Sequence, residues 1–160
     1  MRIAIVCLGN ICRSPMADVV LNARLEAAGL AELVHVDSYG TGGWHVGNPM
    51  DERAAARLTR VGYDATAHRA RQFSAGTDED YDLVLAMDQQ NLDDLRDLGV
   101  PPEKLELFRD HDPQPGDRDV PDPYYGGTDG FSHVLAIIER TAEALTDELA
   151  HDGGKEETRR

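Results

Sequence analysis

The sequence predicts an α/β fold: a four-stranded parallel sheet with helices on both faces. Two features of the chain predict this. Short bulky runs such as Ile3–Val6 and Tyr81–Met87 are almost free of polar interruption, as strands are when both faces are covered. Longer segments with apolar residues at helical spacing separate them, and parallel neighbours need such crossover connections. The length, 160 residues, is right for one domain with a real core, placed here at residues 1–150.

Residues 2–8 form the first strand. From Ser14 onward, Ala17, Val20, Leu21, Leu25 and Ala28 recur on one helical face, and Gly29 stops that helix. Val34–Ser38 reads as the second strand. Tyr39 to Pro49 is a loop with four glycines and the only tryptophan, Trp44, at a strand end where open α/β sheets bind ligands. A helix over Pro49–Val61 follows, ended by Gly62. His68-Arg69-Ala70-Arg71-Gln72 connects to a short helix from Ser74. Tyr81–Met87 is the third strand, Asp88 caps a helix reaching Leu98, and Leu105–Phe108 is the fourth strand. Arg109–Pro123 lacks periodicity, and its aspartates, Asp122 apart, read as solvated loop charges. Phe131–Leu149 is amphipathic, with Val134, Ile137, Ile138, Thr141, Leu145 and Leu149 on one face. Residues 151–160 are polar and charged and are expected to form a disordered tail.

The chemistry gathers between the first strand and the first helix, at Cys7-Leu8-Gly9-Asn10-Ile11-Cys12-Arg13-Ser14-Pro15. Gly9 permits a tight loop, Ser14 is a favoured helix cap, and Pro15 suits the first helical position. The loop then aims its N–H groups, from Leu8 through Ser14, into a nest at the positive end of a helix, which binds anions. Arg13 adds a planar fork that matches two phosphate oxygens. The result is a phosphate-binding loop after the first strand, with Cys7 at its base. Cysteines at helix N-termini beside arginine ionise more readily than free ones, which titrate near pH ~8.5, so Cys7 is expected to be a thiolate nucleophile. Ser14 can bond the sulfur, and Asn10 can tie the loop to its surroundings. No G-x-x-x-x-G-K-[ST] segment is present, which disfavours nucleoside triphosphates.

Composition narrows the partners. With 30 Asp+Glu against 16 Lys+Arg the net charge is −14, which argues against nucleic acid and anionic membranes. The loop therefore has to capture an anion by local field, which draws attention to the basic residues Arg13, Arg53 and His68; for Arg53 and His68 ordinary surface is the favoured reading. Cys7 and Cys12, the only cysteines, cannot staple distant parts of the fold. A cytoplasmic monomer is expected, with no metal or cofactor. The D-x-[DN]-x-[DN]-G-x5-E calcium pattern is missing from the Asp-rich stretch. Asp122 differs from its neighbours because Pro121 and Pro123 fix it beside Tyr124 and Tyr125, and rigid apolar surroundings favour the protonated carboxyl that general acid work needs.

The loop resembles that of the low-molecular-weight protein tyrosine phosphatases, C-x5-R-[ST]-P near the N-terminus, and the resemblance runs over roughly residues 2 to 148. The family's second motif, D-P-[YF], is matched at Asp122-Pro123-Tyr124. The resemblance implies hydrolysis of phosphotyrosine in proteins and of small aryl phosphates, in two steps through a cysteinyl-phosphate. Cys7 would be the nucleophile, Arg13 and the amides of Leu8, Gly9, Asn10, Ile11, Cys12 and Ser14 the phosphate holders, and Asp122 the acid and then the base. It also implies that Trp44 forms an aromatic wall of the cleft, although the residue alone is equally consistent with core, and that the His68–Gln72 connector buttresses the cleft. Tyr124 and Tyr125 either flank the cleft mouth or anchor their loop. Ile11 resembles the tyrosine-directed form, where threonine marks arginine phosphatases. Cys12 is either a packed loop residue or a partner that shields Cys7 from irreversible oxidation. Arsenate reductases share the loop but use further cysteines downstream, absent here. A non-catalytic module that binds phosphorylated partners is the rival of another class, and it would need neither Cys7 nor Asp122.

Overall fold

The computed structural model describes residues 1–159 except Pro115, Tyr125 and Gly126; the side chains of Thr128 and of residues 153–159 are not described. Strands β1 (Arg2–Cys7), β2 (His35–Gly40), β3 (Leu83–Ala86) and β4 (Leu105–Leu107) form one sheet in the order β2-β1-β3-β4, and every pairing is parallel. The uninterrupted apolar run of β1 suits its central place, since Ile3, Ala4, Ile5 and Val6 have no solvent exposure. Its side chains alternate between two cores. Ile3, Ile5 and Cys7 face helices α1 (Arg13–Ala27), α2 (Glu52–Arg60) and α4 (Thr128–Arg159), while Ala4 and Val6 pack with Phe73, Tyr81 and Leu95 of α3 (Gln89–Asp97). Helices therefore cover both faces, as the sequence predicts, and each fully buried Ile or Leu contributes about 1.5–3 kcal/mol.

The chain leaves β1 toward β2 on one side and returns to place β3 on the other. This reversal opens a crevice beyond the carboxyl end of β1, the position at which such sheets take ligands. Several boundaries move from their expected places. Strand β2 continues through Tyr39 to Gly40, because Tyr39 packs edge-on against Phe73 and Tyr81 instead of entering the loop. The short helix expected from Ser74 is a 3₁₀ turn over Thr77–Asp80, and a second such turn, Phe108–His111, begins the stretch that lacks periodicity. Within that stretch Asp112 is buried, not solvated. It accepts hydrogen bonds from Arg109 Nε at 2.9 Å and from Arg140 Nε at 2.7 Å, which tie the segment to α4. Residues 151–160, expected as a tail, carry helical backbone as far as Arg159, since extending a formed helix adds one bond per residue fixed.

Candidate active site

Helix α1 begins one residue earlier than expected. Cys12 occupies the N-cap position without a side-chain cap, and Arg13 is the first helical residue. Ser14 is drawn inward instead of capping, and it is fully buried. Its Oγ lies 3.0 Å from Cys7 Sγ, accepts from Asn10 Nδ2 at 2.9 Å and donates to the Tyr39 carbonyl at 3.1 Å. The N-cap of α1 thus supplies no side-chain partner to the helix's first amides.

The tight turn is made by Asn10, at φ +57°, and not by Gly9. Such a conformation costs of order 1 kcal/mol in a non-glycine residue unless its surroundings hold it. Here they do: Asn10 Nδ2 also donates to Ser38 Oγ at 3.1 Å, its Oδ1 accepts from the Arg71 amide at 2.8 Å, and its carbonyl lies 2.6 Å from His68 Nε2. Burial pushes His68 below its ordinary value, so the neutral ring can donate through Nε2. The connector that was expected to buttress the cleft does so through these two contacts. Asn10 also presents its amide to Cys7 Sγ at 3.3 Å.

Arg13 is buried with 3% exposure. Its Nη1 donates to Asp88 Oδ2 at 2.7 Å and to the Val120 carbonyl at 3.0 Å, while Nη2 lies 3.7 Å from Asp122 Oδ2. Burial works to lower its pKa, yet Cys7, Asp88 and Asp122 together raise it. One edge of the guanidinium is anchored and the other faces the cleft. Asp88 caps α3 as expected, through Oδ1 accepting from the Asn91 amide at 2.8 Å. That its second oxygen orients Arg13 was not readable, because nothing in local spacing links residues 13 and 88.

The cleft has a volume of about 290 Å³. It is lined by Cys7, Leu8, Gly9, Ile11, Cys12 and Arg13 of the loop together with Trp44, His45, Asp122 and Tyr124. The side chains of Asn10 and Ser14, whose amides are expected to hold phosphate, are fully buried and brace the loop from within. Trp44 is 74% exposed, which makes it a wall and not core. Asp122 stands at the rim with its side chain 37% exposed, so the apolar enclosure read from its neighbours is absent. Tyr124 Nα donates to Asp122 Oδ1 at 3.0 Å. Tyr125 lies outside the described residues. Burial above all, then Asp51, pushes the Cys12 thiol up, leaving it neutral. One residue here had no signal in the sequence, His45, beyond its place beside Trp44. Arg53, for which surface was the favoured reading, is half-buried against Tyr124.

A loop that runs from the end of a central parallel strand into a helix N-terminus, with a buried thiol at its base and a buried arginine beside it, fits the class of phosphate-handling α/β proteins. The chain belongs within it to the family described as low molecular weight phosphotyrosine protein phosphatase, whose sequence model matches residues 2–155. A low molecular weight protein-tyrosine-phosphatase of Streptomyces coelicolor is 49% identical over 150 residues, covering 90% of each chain. Among solved structures, a protein tyrosine phosphatase from Entamoeba histolytica superposes with a TM-score of 0.89 at 34% identity, covering 97% of this chain and 99% of its own. YfkJ from Bacillus subtilis gives 0.89 at 35% identity, covering 95% and 96%.

Proposed function

We propose that this phosphatase hydrolyses phosphotyrosine in proteins, and small aryl phosphates, by two transfers at Cys7. The observation that supports this best is that Cys7, Arg13 and Asp122 line one cleft although Asp122 is remote in sequence. In the first transfer the Cys7 thiolate attacks phosphorus. The phosphorus–oxygen bond to the phenol breaks, and Asp122 gives its proton to the departing oxygen, leaving a cysteinyl-phosphate. In the second, a water attacks phosphorus while the ionised Asp122 takes its proton, the sulfur–phosphorus bond breaks, and phosphate leaves.

Each supporting group has a place in this sequence. The loop amides and the start of α1 face charge on the equatorial oxygens, so the positive field is in position before the substrate arrives. A phosphoryl group seated there takes the Arg13 Nη2 that otherwise faces Asp122 at 3.7 Å, which frees the carboxyl for the leaving oxygen. The Ser14 hydroxyl, 3.0 Å from Cys7 Sγ, can turn its proton from the Tyr39 carbonyl to the sulfur as it leaves. Trp44, His45 and Tyr124 supply aromatic surface for the phenol ring. A thiolate nucleophile supports a reducing, cytoplasmic setting. Among the described residues no helix is long and apolar enough to cross a membrane.

The test is release of para-nitrophenol from its phosphate ester at mildly acidic pH in the presence of a chelator. Cys7→Ser is expected to lower turnover by a factor on the order of 10⁴ or more. Turnover that survives the substitution would refute the thiol mechanism, and a folded native protein without turnover would leave a phosphate-binding module.

A further inference from the structure

Asp122 has to meet the leaving oxygen within hydrogen-bond reach, yet it sits on a loop whose flanking residues, Pro121 and Pro123, have no N–H with which to anchor it. Upstream the loop is tied to the sheet by Val120, whose amide donates to the Met87 carbonyl at 2.8 Å. Downstream it is held by Arg53, the second residue of α2. Arg53 Nη2 donates to the Tyr124 carbonyl at 2.9 Å, and the amide of the same Tyr124 donates to Asp122 Oδ1 at 3.0 Å.

Arg53 is itself fixed. Its guanidinium lies 4.8 Å from the ring centre of Phe131 and 5.6 Å from that of Tyr124. Its Nε and Nη2 donate to the two carboxylate oxygens of Asp51, each at 3.2 Å. Asp51 caps α2, accepting from the Arg53 amide at 2.9 Å, and its own amide donates to the carbonyl of Ile11 in the phosphate loop at 2.9 Å. A continuous path therefore runs from Ile11 through Asp51, Arg53 and Tyr124 to the Asp122 carboxyl. It joins the loop that holds the nucleophile to the loop that holds the acid.

We propose that Arg53 is a positioning residue for the general acid: it sets where the Asp122 carboxyl stands relative to the leaving oxygen, and it does not bind the phosphoryl group. The inference rests on the role of Asp122 proposed above. Phosphate is held by Arg13 and the loop amides, so loss of Arg53 leaves that binding in place and slows the two steps in which Asp122 moves a proton, of which only the first depends on the leaving group. A planar fork is what lets one side chain hold a carboxylate, a carbonyl and an aromatic face at once, and lysine cannot replace it.

The test compares phenyl phosphate, whose phenol ionises near ~10 as tyrosine does and needs the proton, with para-nitrophenyl phosphate, whose leaving anion the nitro group stabilises. Asp122→Asn sets the reference, and it should lower kcat/KM, which reports the transfer to Cys7 alone, far more for the phenyl ester than for the nitrophenyl ester. Arg53→Gln is expected to lower kcat/KM for phenyl phosphate about tenfold, a fraction of what a general acid supplies, and to change kcat/KM for the nitrophenyl ester and inhibition by inorganic phosphate by no more than about twofold. Arg53→Lys keeps the charge and the stem over Phe131, so it carries the test even where the glutamine variant does not fold, and it should show the same selectivity. Equal losses of kcat/KM on both esters, weakened phosphate inhibition or an unchanged ratio of kcat/KM between the esters in the Arg53 variants would overturn the tether while leaving Asp122 as the acid. Absence of selectivity in Asp122→Asn would overturn the role of Asp122 and the tether with it.

Discussion

At Gly40 the site admits no side chain. This residue pairs in register with Cys7, and a Cβ there would stand 2.7 Å from the Leu8 carbonyl oxygen and 3.0 Å from the Asn10 amide. Neither backbone atom can yield without moving the phosphate loop. Gly40→Ala is therefore expected to cost about 1–3 kcal/mol, as overpacking does, and to weaken inhibition by inorganic phosphate; urea denaturation and inhibition kinetics check the two parts. The contrast with Cys7 and Arg13 shows what can be read one residue at a time. A nucleophile and a cation six positions apart at a strand–helix junction make a local pattern, whereas Gly40 looks like any glycine beside a turn. Ser14 illustrates an intermediate case: its residue type pointed to a cap, and the buried thiol and Asn10 drew its hydroxyl inward instead.

Among the elements, α3 carries both a structural and a site duty through its cap. Asp88 holds the Asn91 amide with one oxygen and Arg13 with the other. Asp88→Asn keeps a good cap but turns an amide donor toward the guanidinium, and Asp88→Ala loses both contacts. The expected order of stability is native, Asn, Ala, with about 1 kcal/mol between the two variants for the cap, measured by urea denaturation. Both substitutions should raise KM for aryl phosphates, because Arg13 loses the partner that orients it. The cap was visible in the sequence, since Asp before a helical run acts on amides two and three residues on. The second contact was not, because it depends on β3 lying beside β1.

Across the whole molecule, two carboxyl groups make stability depend on pH in opposite senses. Asp112, between Arg140 and Arg109, is held well below the usual carboxylate range, chiefly by its bonds to Arg140. Its contribution is present above pH 3.8, the ordinary value, and is lost as the pH falls below that. Asp18 is raised to about 6 by burial, despite its bonds to Ser38 and Asn22. The folded state then binds the extra proton, so stability falls as pH rises from 3.8 through about 6. Asp18→Asn should remove that fall: the variant's advantage over the native protein in urea midpoint is expected to grow between pH 4.5 and pH 7, roughly the window of the shift. A gap that stays constant across this range would refute the assignment.

By itself the sequence determined whatever depends on neighbours within a turn or a strand. This covers the two-sided burial of β1, the Cys7–Arg13 loop, the Asp88 cap, the amphipathic α4, and Asp122 set apart by its prolines. Tertiary structure alone decided the sheet order, the burial of Asp112 between two arginines, the pairing of Arg13 with Asp88, and the passage from Ile11 through Arg53 to Asp122. The physical reason is range. Strand alternation, helix periodicity and capping act over a few residues and leave their mark in spacing, whereas a hydrogen bond of about 3 Å between residues dozens of positions apart exists only once the chain has folded to bring them together.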